Sequence, residues 1–193
     1  MRRTKEATVE SRGRIVEEAS RLFRERGIDG VTVAEVMEAA GLTHGGFYRH
    51  FPSKEALVAE ALGSALRQRA DALAPTPTRD TAQALSDYVV DYLSAGHVTH
   101  PARGCMLAAV GSDVAHAGAR VQQSAADGAA ALIERLGQSL EHTRSEPRSD
   151  AIVLLSTLVG AVILARAVGD TPLRHEVLRA AAESELVQSA LSK

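Results

Sequence analysis

Apolar residues recur at helical spacing along most of this chain. In residues 11–26, Ile15, Ala19, Leu22 and Phe23 fall at i, i+4, i+7 and i+8, one face of an amphipathic helix, and Gly27 predicts its end. Thr32 then offers a hydroxyl cap with Glu35 three residues on, the pairing of a capping box, before Val33, Val36, Met37 and Ala40 trace a helix about two turns long that stops at Gly41. Thr43 can cap a third helix running to about His50, with Phe47 and Phe51 four apart on one buried face. Pro52 breaks it and Ser53 caps a fourth, striped by Val58, Ala61, Leu62, Ala65 and Leu66, which reaches a linker at Pro75 and Pro77.

Beyond the linker, Leu85, Tyr88, Val89, Tyr92 and Leu93 share a helical face, and a loop containing Pro101 follows between Gly96 and Gly104. Further helices are predicted at about 104–115, 119–142, 149–169 and 173–190, punctuated by Gly118, Pro147 and Pro172. No segment alternates as a strand does. The expected fold is all-α: a helix-turn-helix domain over 1–52, a connecting helix over 53–74 and a larger helical body over 79–193.

Composition narrows the reading. With 193 residues, 45% hydrophobic and 24% charged, the chain suits a soluble globular protein of one or two domains. Its net charge of −2 hides an asymmetry, because residues 1–69 hold twelve basic against ten acidic side chains, and the remainder ten against fourteen. Arg2, Arg3, Lys5, Arg12 and Arg14 crowd the first fourteen positions, a local electrostatic footprint for a polyanion. Arg12 and Arg14 serve equally well to solvate the first helix. The apolar run 151–165 is shorter than the roughly 18 residues of a membrane span, and no secretory segment opens the chain, so a cytoplasmic protein is expected. One cysteine, Cys105, excludes an intramolecular disulfide and a multi-cysteine zinc framework.

Two short helices about a tight Gly turn, preceded by a basic arm, make residues 32–51 a helix-turn-helix candidate. Its second helix must enter a major groove roughly 12 Å wide and present donors there. Gly45 and Gly46 weaken a helix by about 1 kcal/mol each relative to Ala, which fits either close approach of the backbone to DNA or a loose turn.

Residues 32–57, with their core GLTHGGFYRHFPSKEAL, resemble the DNA-binding domain of the TetR family of transcriptional regulators. That resemblance implies a DNA-binding regulator, not an enzyme: a homodimer, released as a repressor from a palindromic double-stranded operator when a small-molecule effector enters the body. It implies that Phe47 and Phe51 are core residues and that Tyr48 and His50 meet the DNA backbone, with Thr32 and Lys54 at helix starts near phosphate. Thr43, His44, Gly45 and Arg49 are then the groove-facing positions, and Arg49 has the fork that reads guanine. Lys54 also reads as an ordinary exposed lysine, and His50 as a capping or core histidine. Gly46 stands where the family commonly carries a small hydroxyl residue or Ala.

In the body, Tyr88, Tyr92, Cys105, Met106, Val110, Leu132 and Leu155 are candidate ligand-lining residues, although a plain core explains them too. Residues 151–168 are apolar nearly all round, with Ser156, Gly160 and Ala161 as small members. They demand burial on more than one side, by a dimer partner or by a purely intramolecular core. Cys105 follows Arg103 and Gly104 at a helix start, resembling redox- or electrophile-sensing family members, against the commoner role of a small buried hydrophobe. His97, His100, Asp113 and His116 are too loosely spaced to predict a metal centre, and no cofactor is expected. An enzyme or an architectural protein are the alternatives of another class. No Gly-x-Ser-x-Gly elbow, phosphate loop or His-Glu-x-x-His pair supports catalysis.

Overall fold

The computed structural model describes residues 2–141 and 144–191, with side chains from residue 6 onward; Arg2, Arg3 and Lys5 of the basic arm therefore have side chains outside the described residues. Helices α1 (Arg2–Arg26) and α2 (Val33–Ala39), a 3₁₀ segment (His44–Arg49) and the start of α3 (Lys54–Asp71) build the front of the molecule. The body holds α4 (Thr81–Tyr92), α5 (Ala95–Thr99), a 3₁₀ turn (Pro101–Arg103), α6 (Met106–Ala115), α7 (Ala119–Leu140), α8 (Pro147–Ala167), α9 (Pro172–Glu183) and α10 (Glu185–Leu191). Among the described residues there is no strand, only an isolated bridge between Thr76 and Arg79 that closes the linker turn.

Several boundaries differ from the sequence reading. α1 begins well before residue 11, because no Gly or Pro precedes it and its early residues are mostly good helix formers. The predicted third helix is a 3₁₀ segment with no hydroxyl cap from Thr43, the outcome of placing Gly45 and Gly46 where α-helix propensity was needed. The expected loop 96–104 contains α5, capped by the Ser94 hydroxyl, and the Pro101 turn. The expected helix 173–190 is two helices, broken where Ser184 turns extended (ψ 142°). α8 as a whole is long and apolar enough to cross a bilayer by length and composition, although its apolar run fell short. In the fold one side of it packs into the body, through Leu154, Leu155, Leu158, Val162 and Ala165.

One apolar cluster runs from Ile15, Phe23, Phe47 and Phe51 in front, through Leu57, Leu62 and Leu66 of α3, to Leu132, Leu136, Leu155 and Leu158 behind. α3 and α7 are therefore close neighbours rather than a spacer and its load. At Gly128 of α7 an added Cβ would stand 2.7 Å from the Cβ of Leu66, so only Gly allows this approach. The Ser124 hydroxyl donates to the Ala59 carbonyl across the same seam at 2.5 Å.

Candidate nucleic-acid interface

The turn between α2 and the 3₁₀ segment has a defined geometry. Gly41 adopts a left-handed φ of 69°, its N–H donates to the Glu38 carbonyl at 2.9 Å, and the Leu42 N–H reaches the Met37 carbonyl at 2.8 Å. This paired closure is a Schellman turn, which satisfies helix-end carbonyls and reverses the chain. At the other end of α2 the capping box is present, with the Thr32 hydroxyl accepting from the Glu35 N–H at 3.3 Å and the Glu35 carboxylate accepting from the Thr32 N–H at 2.8 Å. Those bonds from Thr32, with Arg26 at 2.6 Å, hold the Glu35 carboxyl down at about 2.

The 3₁₀ segment is anchored by its aromatic rings. Phe47 and Phe51 are buried and stack with centroids 5.8 Å apart, while Tyr48, T-shaped against Phe47 at 5.3 Å, stays 74% exposed. Thr43, His44, Gly45 and Arg49 are exposed beside it. Neither φ nor crowding inside the chain requires glycine at position 45, because nothing lies within 4 Å of an added Cβ. Thr43, Gly46, Arg49 and His50 face Thr8 and Ser11 of α1 across an open concavity of about 430 Å³. The resulting face offers a hydroxyl, an imidazole, a guanidinium and a phenol on a narrow element, the donor set that phosphates and base edges need.

Other predicted residues are engaged within the fold. Lys54 opens α3 behind the Ser53 cap, and its Nζ donates to the Ile28 carbonyl at 2.7 Å, leaving two further N–H donors. His50 is half-buried: its carbonyl accepts from Arg12, and its Nδ1 is buried with no hydrogen-bond partner. The Thr32 hydroxyl also donates to Glu35 at 2.7 Å, so the exposed Thr32 spends its donor internally.

Sequence reasoning missed the role of Arg12. It pairs with Glu60 of α3, donates to the His50 carbonyl and lies 4.1 Å over the Phe51 ring, fastening α1 to the end of the recognition segment. Its partner Glu60 stands 48 positions away, a distance no local pattern spans. Arg14 is exposed.

Two contacts tie this front to the body. The Asp113 carboxylate of α6 accepts from the Ile28 N–H at 2.9 Å, while the Ile28 carbonyl accepts from Lys54. Arg24 of α1 donates to the Ala102 carbonyl, in the Pro101 turn, at 2.6 Å. The candidate ligand-lining residues are all buried: Tyr88 and Tyr92 on α4, Cys105 at the start of α6, and Met106 and Val110 within it. Leu132 and Leu155 stand on α7 and α8. His97 is buried against Tyr92, and both its ring nitrogens are used: Nδ1–H donates to the Tyr92 carbonyl at 2.7 Å, and Nε2 accepts from the Cys105 N–H at 2.8 Å. Burial pushes the His97 imidazole down to about 4 and keeps it neutral. With His97 so engaged and Asp113 on Ile28, the loosely spaced His and Asp residues form no metal-ligating group among the described residues.

The sequence model for bacterial regulatory proteins of the tetR family matches residues 15–61. The HTH-type transcriptional regulator TtgR of Pseudomonas putida is 45% identical over 74 residues, 38% of this chain and 35% of that protein. The HTH-type transcriptional repressor KstR2 of Mycobacterium tuberculosis is 43% identical over 51 residues, 26% of each chain. The chain thus aligns with about a third or less of the length of these curated relatives. Solved structures extend the likeness in fold. Escherichia coli NemR in its reduced form superposes with a TM-score of 0.73 at 22% identity, covering 89% of this chain and 95% of that one. A TetR regulator from Chloroflexus aurantiacus gives 0.70 at 23%, covering 94% and 95%. Residues 15–61 thus carry the sequence of the tetR-family DNA-binding domain, and nearly the whole chain shares the fold of solved TetR regulators.

Proposed function

We propose that this chain is a homodimeric transcriptional repressor that leaves a palindromic operator when a small molecule enters its body. The observation that carries the reading is the 3₁₀ segment, which buries Phe47 and turns Thr43, His44, Tyr48 and Arg49 outward. In this division, residues 1–52 grip DNA, 53–74 transmit, and 79–193 sense and dimerise. Tyr48, His50 and Lys54 hold phosphates, with Thr32 near them only as the cap of α2 because its donors go to Glu35; Thr43, His44, Gly45 and Arg49 face the groove.

α8 supports the dimer. Its outer stripe of Ile152, Val153, Ile163 and Leu164, each 42–50% exposed, surrounds the small exposed Ser156 and Gly160. An apolar stripe on an otherwise packed helix calls for a second surface, and a two-fold pairing would set recognition elements roughly 34–36 Å apart. The joint at Ile28 supports the coupling. Asp113 of α6 holds its N–H and Lys54 its carbonyl, so displacement of α6 moves a group that positions a phosphate-binding lysine. α6 departs from helical geometry at Val110 (φ −130°, ψ 16°), between Cys105 at its start and Asp113 near its end. DNA binding carries with it a cytoplasmic setting.

Selection of sites from a random duplex pool, with stoichiometry, tests the reading: a palindrome bound by a dimer is expected, and sequence-indifferent binding at every salt concentration defeats it. A second reading, control through the Cys105 thiol, is favoured by the arginines gathered about that residue. It requires the wholly buried thiol to be opened to reagent. Full effector response in Cys105→Ser would remove it.

A further inference from the structure

Positive charge accumulates around the start of α6. Arg24, Arg69 and Arg166 reach this region from α1, α3 and α8, and two of them spend their donors on uncharged partners. Arg166 donates to the carbonyls of His97, Val98 and Ala108, and Arg24 to Ala102 and Ser20. Burial and the charge of Arg69 both weaken the hold of Arg24 on its proton. Arg69 alone meets a carboxylate, that of Asp91 at 3.2 Å, and that carboxylate is 67% exposed.

Donors without acceptors stand in the same place. The Arg69 Nε is buried and unpartnered, and its guanidinium lies 5.6 and 5.4 Å over the rings of Tyr88 and Tyr92, whose own hydroxyls are buried and unpartnered. Burial holds both phenols in their protonated, donating form. Beside Arg69 opens a cavity of about 240 Å³, walled also by Arg103, His97, His100, Ser94 and Asp91. Its volume is below the roughly 300 Å³ at which pockets for drug-sized molecules begin, so its occupant is small. Of these cations and donors it is Arg69 that reaches the cavity wall, where Arg103 joins it, and the carboxylate facing them there is the exposed Asp91.

We propose that this cavity is the effector site and that it binds a small organic acid, whose carboxylate takes the fork of Arg69, with Arg103 at the rim, in place of Asp91. Asp91 is then an internal competitor that occupies Arg69 while the site is empty. The walls communicate with the DNA-binding front, since the Pro101 turn that carries Arg103 also carries the carbonyl held by Arg24. This inference rests on the proposed regulator only for its consequence; binding itself is read without DNA.

The test is calorimetric titration of the full-length protein with sodium acetate, lactate, pyruvate, benzoate and inorganic phosphate at constant ionic strength, with the corresponding amides of the organic acids as controls. At least one carboxylate should bind saturably where its amide does not. Asp91→Asn should tighten that binding several-fold, while Arg69→Gln, or the milder Arg103→Gln on the exposed rim, should weaken it tenfold or more. Equal binding of acid and amide, binding of phosphate alone, no binding by any acid in either the parent or Asp91→Asn, or weaker binding in Asp91→Asn would each overturn the proposal. Adding the bound acid to the protein on its selected operator separates the two readings. Saturable binding without DNA release keeps the acid-binding site but overturns its role as the effector site, whereas failure to select any operator overturns the repressor and leaves the acid binding standing.

Discussion

The front and the body of this molecule handle polar groups in opposite ways. In front, a few large rings, Phe23, Phe47 and Phe51, are buried and the hydroxyls, imidazole and guanidinium of residues 43–49 stand outside. In the body the polar groups are inside: His97 with both nitrogens bonded, two tyrosine hydroxyls without partners, and Arg166 capping carbonyls of α5 and α6. An exterior of donors on a rigid support suits a polyanion of fixed shape. An interior whose donors lack protein acceptors suits an external acceptor, and a ligand that binds one state better shifts the equilibrium toward it.

The sharpest way to break the contrast is at the ring anchors. Phe51→Ala should cost about 3–5 kcal/mol, since it empties the contact with Phe47 and removes the surface on which Arg12 rests. Denaturant midpoints measure it, and DNA binding should fall with the folded fraction.

The buried imidazole gives the next largest effect. His97 titrates at about 4 in the folded chain against 6.5 when exposed, so between those values the unfolded chain takes up a proton that the folded chain refuses. Its contribution is therefore whole above pH 6.5 and lost as pH falls toward 4, by about 3 kcal/mol. Unfolding curves of the parent and of His97→Gln should converge across that window; parallel curves would show that His97 does not titrate as described.

Asp113→Ala probes the joint between the two regions. It strands the Ile28 N–H at a cost of about 1–3 kcal/mol and should loosen the front from the body, splitting one calorimetric transition into two.

The smallest expected effect sharpens the comparison instead. Gly45→Ala meets nothing within 4 Å, so folding should be unchanged or strengthened by up to about 1 kcal/mol. A loss of operator affinity in that stable variant would assign Gly45 to close backbone approach by DNA; unchanged affinity would leave it as a turn residue.

The helix-turn-helix was legible because its signals are local. Thr32 and Glu35 form their capping box within four residues, Gly41 closes its turn within six, and the Phe47–Phe51 spacing is one helical turn. The all-α class and the buried faces of α1, α3 and α4 followed from periodicity for the same reason. Local propensity was misread at two places where tendencies competed. The Gly pair yielded a 3₁₀ segment, and the stretch about Pro101 formed short helices held by Ser94, His97 and Arg166.

What the sequence determined by itself was therefore the tetR likeness of the front, the all-α class and the buried rings of Phe47 and Phe51. Only the tertiary structure decided that Arg12 serves Glu60 and His50, that Lys54 and Asp113 share Ile28, and that Arg69 lies over Tyr88 and Tyr92 beside a cavity of about 240 Å³. Apart from the Tyr88–Tyr92 pair itself, those partners are separated by about 20 to 85 positions. A side chain's choice among distant carbonyls and carboxylates is set by which helices pack together, a property of the whole chain that no local spacing encodes.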